Sequence, residues 1–225
     1  MKKVILATFF CVSLVSLAQD LEQKISLTGI GSIQLEPNKA QIQFSVLTEN
    51  ENLDKATKAN VKIMEKVKSE LKDLGIENQN VKTVNYNVGK LEKTEKNQKD
   101  IYAVRNSFNV DLENLQIIGK VISTMEKAGV NEVGGIQFSS TEVNDKTKEA
   151  MVLAYKDAYR KAEAVANAAG YKVILPVDIA YDYMPMRGAG MMSFVQNSPS
   201  TTVYVPNKLD LEVAVRTVFS INNEK

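Results

Sequence analysis

Three stretches of the chain repeat their apolar residues with the period of a helix. In 53–74 the stripe is Leu53, Ala56, Ile63, Val67, Leu71 and Leu74, with Asn60 set inside it. In 115–128 it is Leu115, Ile118, Ile122 and Met125. In 145–169 it is Met151, Ala154, Ala158, Ala162, Val165 and Ala169, a row of small residues that predicts a helix sitting close on a sheet. Gly75, Gly129 and Gly170 follow these stretches directly, and a glycine just past a helix takes the left-handed conformation at no Cβ cost. Elsewhere apolar and polar residues alternate. Ala40, Ile42, Phe44 and Val46 form one such row, and Val84, Tyr86 and Val88 another. Tyr102, Val104, Phe108, Val110 and Leu112 form a third, with Asn106 among them. Residues 133–139 and 173–183 read as strands after their helices, and 209–221 is the cleanest alternation of all.

Pro37 suits the second position of a turn, so 25–35 and 40–46 are expected to form a hairpin with one buried face, and Gly29 and Gly31 to mark a bulge. The element order is ββαβ-βαβαβ-β. It predicts an α+β fold of two small subdomains, each mostly antiparallel sheet, with three helices layered on them. Residues 19–100 with 203–225 make the first subdomain and 101–183 the second. A non-periodic, Met-rich loop, 184–202, stands apart.

Residues 1–18 change the picture. Lys2 and Lys3 precede an apolar run, and Ser16-Leu17-Ala18 is a small-x-small cleavage site before the polar Gln19-Asp20. This is the pattern of an export signal. The run is too short for a membrane span, and the mature chain is expected to begin near Gln19 outside the cytoplasm. Cys11, the single cysteine, falls within the signal, and Phe10 before it argues against a lipoprotein site. Without Lys2 and Lys3, the 28 basic side chains fall to 26 against 27 acidic ones. Lys and Glu interleave, as at Lys90, Glu92, Lys93, Glu95 and Lys96, which makes a solvated surface and not a stripe that tracks phosphates. Nucleic acid is therefore not an expected partner, and no polybasic membrane patch is present.

Several of these stretches together resemble the SIMPL-domain family, formerly a bacterial domain of unknown function. It includes exported periplasmic immunogenic proteins and oxidative-stress-defence proteins. Ile25-Ser26-Leu27-Thr28-Gly29-Ile30-Gly31-Ser32-Ile33, then Pro37 and Ala40, is similar to the family's opening strand and Pro-Asp-x-Ala turn, with Asn38 in place of Asp. Gly129-Val130-Asn131-Glu132-Val133-Gly134-Gly135-Ile136-Gln137-Phe138 resembles its central motif. Asp157-Ala158 and Lys161-Ala162-Glu163-Ala164 resemble its Asp-Ala-x-x-Lys-Ala-Glu helix. The resemblance spans nearly the whole mature chain. It implies two α/β subdomains and, in some members, ring-like homo-oligomers. It implies no established enzymatic activity and no catalytic residues. It gives the matched positions, among them Gly29, Gly31, Pro37, Gly75, Gly129, Gly134, Gly135 and Gly170, roles in turns, caps and packing.

Candidate chemistry is sparse. With no His in the chain and no Cys after the signal, a Ser-His-Asp triad, thiol catalysis and a His-ligated metal are excluded. Gly188-Ala189-Gly190 lacks the strand-loop-helix frame of a phosphate loop. Glu142, Asp145 and Glu149 answer the dipole at a helix start. Asp178 and Asp182 share a strand face and could hold a cation or do acid–base work, or simply discourage edge pairing. Asn60 and Asn106 read as hydrogen-bonded structural groups, and Tyr155, Tyr159 and Tyr171 as core or subunit contacts. Met184, Met186, Met191 and Met192 invite a specific function, since thioethers bind Cu(I) and absorb oxidant, against a plain docking loop. The leading expectation is an exported, non-enzymatic homo-oligomer in envelope or oxidative stress defence, with no cofactor. The alternatives are a soft-metal or oxidant-scavenging protein using the Met-rich loop, and a carboxylate-dependent enzyme.

Overall fold

The computed structural model describes residues 23–91, 99–182 and 203–223. Its strands are β1 (Lys24–Leu35), β2 (Lys39–Asn50), β3 (Val81–Lys90), β4 (Tyr102–Leu112), β5 (Glu132–Ser139), β6 (Tyr171–Asp182) and β7 (Leu209–Asn223). Its helices are α1 (Leu53–Asp73), α2 (Ile118–Ala128) and α3 (Val143–Ala168). The strands form two antiparallel sheets, one ordered β3-β4-β2-β5 and the other β1-β7-β6, so the α+β expectation is met. α1 lies on the four-stranded sheet with α2 packed beside it over the same core, and α3 lies on the three-stranded one.

The opening hairpin does not form. β1 pairs with β7 from Lys24↔Ser220 to Leu35↔Leu209, while β2 lies between β4 and β5. Alternation records which face of a strand is buried but not which strand lies beside it, and the Pro37 segment carries the chain from one sheet to the other. The boundaries between sheets fall at 36–38 and 140–170, whereas β3 and β4, on either side of residue 100, pair with each other. Asn38 fastens the first crossing to the second. Its N–H donates to the Ser139 carbonyl at 3.0 Å, its Nδ2 donates to Thr141 Oγ1 at 2.8 Å, and its Oδ1 accepts from the Thr141 N–H at 2.9 Å.

The four-stranded sheet is covered by large side chains. Phe44 and Phe108 stack with centroids 5.6 Å apart, and Ile42, Ile136 and Phe138 are sealed beside them. α1 adds Val67 and Leu71, and α2 adds Ile118, Ile122 and Met125 of its predicted stripe together with Val121, while Leu115 of that stripe falls in the turn before the helix and is partly buried. Each such side chain contributes about 1.5–3 kcal/mol by leaving water. α1 starts at Asn52, whose side chain accepts from the Lys55 N–H.

The three-stranded sheet is covered differently. α3 presents Ala150, Ala154, Ala158, Ala162 and Ala166, all sealed. The expected stripe mixed these alanines with Val165, which is exposed, because it stepped by three at places where the helix buries every fourth residue. Beneath the alanines β1 runs through Gly29 and Gly31. A Cβ on Gly29 would lie 2.0 Å from the Ala154 carbonyl oxygen, and one on Gly31 1.9 Å from that of Ala150. The β1–β7 register continues unbroken through both, so the expected bulge is absent and the glycines serve close approach of helix to strand.

Candidate functional site

α1 does not cover the four-stranded sheet to its edge. β3 is the edge strand, and its pairing with β4 shifts register between Thr83 and Asn85. Past that shift Tyr86 stands opposite Asn106 and Val88 opposite Val104, on the face that bears the core, yet beyond the reach of the helix. Tyr86 is 51% exposed. A groove of about 450 Å³ results, walled by Val61, Met64 and Leu71 of α1 and by Val81 and Tyr86 of β3. Glu65 and Lys68 stand among its lining residues with opposite charges. Asn60 and Asn106 supply amides from the helix and the sheet, and the exposed Asn78 supplies one at the rim.

The two amides differ. Asn60 is sealed, and its Nδ2 donates to the carbonyls of Val46 at 3.0 Å and Val104 at 3.1 Å and to Thr48 Oγ1 at 3.3 Å. Thr48 in turn donates to the Ala56 carbonyl, so Asn60 ties α1 to β2 and β4 as a structural group, as expected. Asn106 has no such role. Its Oδ1 is buried without a hydrogen-bond partner, which corrects the expectation of a bonded pair. An unmatched buried acceptor costs about 1–3 kcal/mol. The sequence signal for this site was a polar residue inside the apolar row of β4, beside the exposed Val84, Tyr86 and Val88.

The second uncovered region is β6, an edge of the three-stranded sheet. Leu175, Val177 and Ile179 are 50, 40 and 56% exposed, and the register with β7 is irregular between Val173 and Leu175 and between Pro176 and Asp178. Among the described residues no strand pairs with its outer side. Asp178 lies here, exposed and opposite Val218, while Asp182 stands opposite Ala214. No group of three or more His, Cys, Asp or Glu able to hold a metal occurs among the described residues. Tyr155 and Tyr159 pack on Phe219 at 6.3 and 5.7 Å, as core contacts of this sheet. A hydrogen bond donated to the Glu163 carboxylate raises the Tyr159 phenol above its ordinary pKa. Met184, Met186, Met191 and Met192, with Gly188 and Gly190, lie outside the described residues. Among the described residues no helix is long and apolar enough to cross a membrane.

The stretches that carried the resemblance meet at joints of the fold. Gly29 and Gly31 seat α3, and Asn38 locks the crossing. Asn131 closes both backbone groups of Leu47, accepting from its N–H at 2.9 Å and donating to its carbonyl at 2.7 Å, so it extends the β2–β5 ladder beyond Ser45↔Glu132. Gly134 and Gly135 face the single residue Gln43 where that ladder shifts register between Ile42 and Phe44. Asp157 Oδ2 accepts from the Ile30 N–H at 3.0 Å and Lys161 donates to the Thr28 carbonyl at 3.2 Å, which blunts the free edge of β1. The SIMPL family profile, described as a protein of unknown function (DUF541), matches residues 25–219. The chain belongs to the SIMPL family. Among its relatives are the 26 kDa periplasmic immunogenic proteins of Brucella melitensis biotype 1 and Brucella abortus strain S19. Each is 26% identical over 211 residues, covering 88% of this chain and 84% of the relative.

Proposed function

We propose that this SIMPL protein is exported, acts without catalytic residues or a cofactor, and assembles with copies of itself in the service of envelope or oxidative stress defence. The observation that carries assembly is β6, an edge strand with Leu175, Val177 and Ile179 in water and, among the described residues, no strand paired with its outer side. An open apolar edge is a template for another strand. The signal-like start and the periplasmic relatives support export. The stress setting follows from the family resemblance. The matched motif residues support a non-catalytic reading, because those placed above seat and bridge backbone at the joints of the fold.

Light scattering with native mass spectrometry on the chain from Gln19 onward tests assembly. A defined oligomer that Ile179→Lys dissociates is the expected result. A monodisperse monomer at micromolar concentration would defeat the reading. N-terminal sequencing of envelope protein should begin at or near Gln19, and an intact Met1 would defeat export.

A further inference from the structure

We propose that the groove between α1 and the β3–β4 edge is a binding site for an uncharged, largely apolar small molecule with one hydrogen-bonding group, and that the Asn106 amide is its polar anchor. The volume, about 450 Å³, lies in the range of small-ligand sites. The walls are apolar and include Met64, whose unbranched thioether adapts to irregular shapes, and Tyr86, whose ring offers a flat face. Three amides stand in the lining, and Asn78 among them is exposed to solvent. Asn60 is consumed by its bonds to Val46, Val104 and Thr48, so it holds the helix and does not select the ligand. Asn106 keeps its Oδ1 buried and unmatched. An amide can present either its oxygen or its nitrogen by rotation, so it suits a ligand that donates through one N–H or O–H, or accepts through one carbonyl. Glu65 and Lys68 lie one turn apart on α1 with opposite signs, so the lining offers no net charge to attract an ion. A site kept for folding alone would fill this space with a bonded or apolar residue; here an unsatisfied group persists beside an open groove.

N-phenyl-1-naphthylamine fits the stated chemistry, being uncharged, apolar and equipped with a single N–H, and the chain has no Trp to obscure its fluorescence. Titrated into the mature protein it should bind saturably at one site per chain. Asn106→Leu should weaken binding roughly fivefold to tenfold while raising the melting temperature, since a structural asparagine would lower it. Val61→Trp, at a half-exposed position on the groove wall, should abolish binding. The sulfonated analogue 1-anilinonaphthalene-8-sulfonate should bind at least tenfold more weakly than the uncharged probe. Should a variant fail to fold, methyl NMR of the wild-type protein decides the matter: the Met64 signal should shift on addition of the probe, while that of the sealed Met125 stays in place. Non-saturable binding, binding removed by Ile179→Ser on β6 and not by Val61→Trp, an unmoved Met64 signal, or a lowered melting temperature in Asn106→Leu would each overturn the assignment.

Discussion

The two sheets solve the same problem, a helix on a pleated surface, by opposite means. On the three-stranded sheet α3 comes so near that carbonyl oxygens of Ala150 and Ala154 occupy the space of side chains on Gly31 and Gly29. On the four-stranded sheet α1 and α2 stand off on Phe44, Phe108, Phe138, Ile122 and Met125. Small residues give a contact without voids but one that tolerates no added atom. Large residues give a deep core, and where they run out, at β3, a groove remains. Tight packing and a ligand-sized space thus sit on different sheets for a reason that lies in side-chain size.

The comparison is broken most severely from the large-residue side. Phe108→Ala removes a sealed ring stacked on Phe44 and should destabilise by about 3–5 kcal/mol, read as a lower denaturant midpoint with a nearly unchanged slope. Gly31→Ala attacks the other side by adding a single methyl. Its Cβ meets backbone, which cannot rotate away, so the helix must lift, and the loss should reach about 3 kcal/mol, the upper end for overpacking. A Gly31→Ala protein with an unchanged melting temperature would show that α3 does not sit down on β1.

These contrasts show what was legible in the chain. The helices, their glycine stops and the last strand could be read because they are local: Gly129 has φ 113° at the end of α2, and Leu209, Leu211, Val213 and Val215 alternate inward as their pattern demands. Sheet membership was not legible, because Pro37 marks a change of direction whether the next strand folds back or crosses to another sheet. Gly29 and Gly31 were noticed but misread, since what they accommodate is a helix more than a hundred residues later. Asn106 and Asn60 look alike in sequence. Only the placement of α1 over β2 and short of β3 gives one its partners and leaves the other without.

The helix stops sharpen the comparison further. Gly75, Gly129 and Gly170 all have positive φ, but a Cβ on Gly75 or Gly170 meets nothing within 4 Å, whereas one on Gly129 comes within 3.1 Å of Ile63 on α1. Gly75→Ala should therefore cost about 1 kcal/mol from backbone strain alone. Gly129→Ala should cost about 2 kcal/mol, because it also pushes the end of α2 from α1. Equal losses in thermal melts would show that the α1–α2 contact yields freely.

The smallest effect belongs to the rim of the close contact. Asp157 is held below the usual carboxylate range, first by the bond from Lys161 and then by the N–H of Ile30; its partial burial works the other way, and the nearby charge of Arg160 helps. The carboxylate is thus better stabilised in the folded chain than at its ordinary value of 3.8, and its contribution is present above that pH and fades as the pH falls through the lower folded value. Asp157→Ala removes both the charge and the acceptor for Ile30 and should cost about 1 kcal/mol at neutral pH, modest because the site is open to solvent. Asp157→Asn keeps a carbonyl for Ile30 but not the charge. Its deficit against the wild type should therefore be smaller at neutral pH and should close below pH 3.8, where the wild-type carboxyl takes up its proton. Stability measured by urea unfolding across this range decides between the two parts of the interaction. A deficit in Asp157→Asn that stays constant into strong acid would mean that the charge does not hold α3 to the edge of β1, and that the seat made by Gly29 and Gly31 suffices alone.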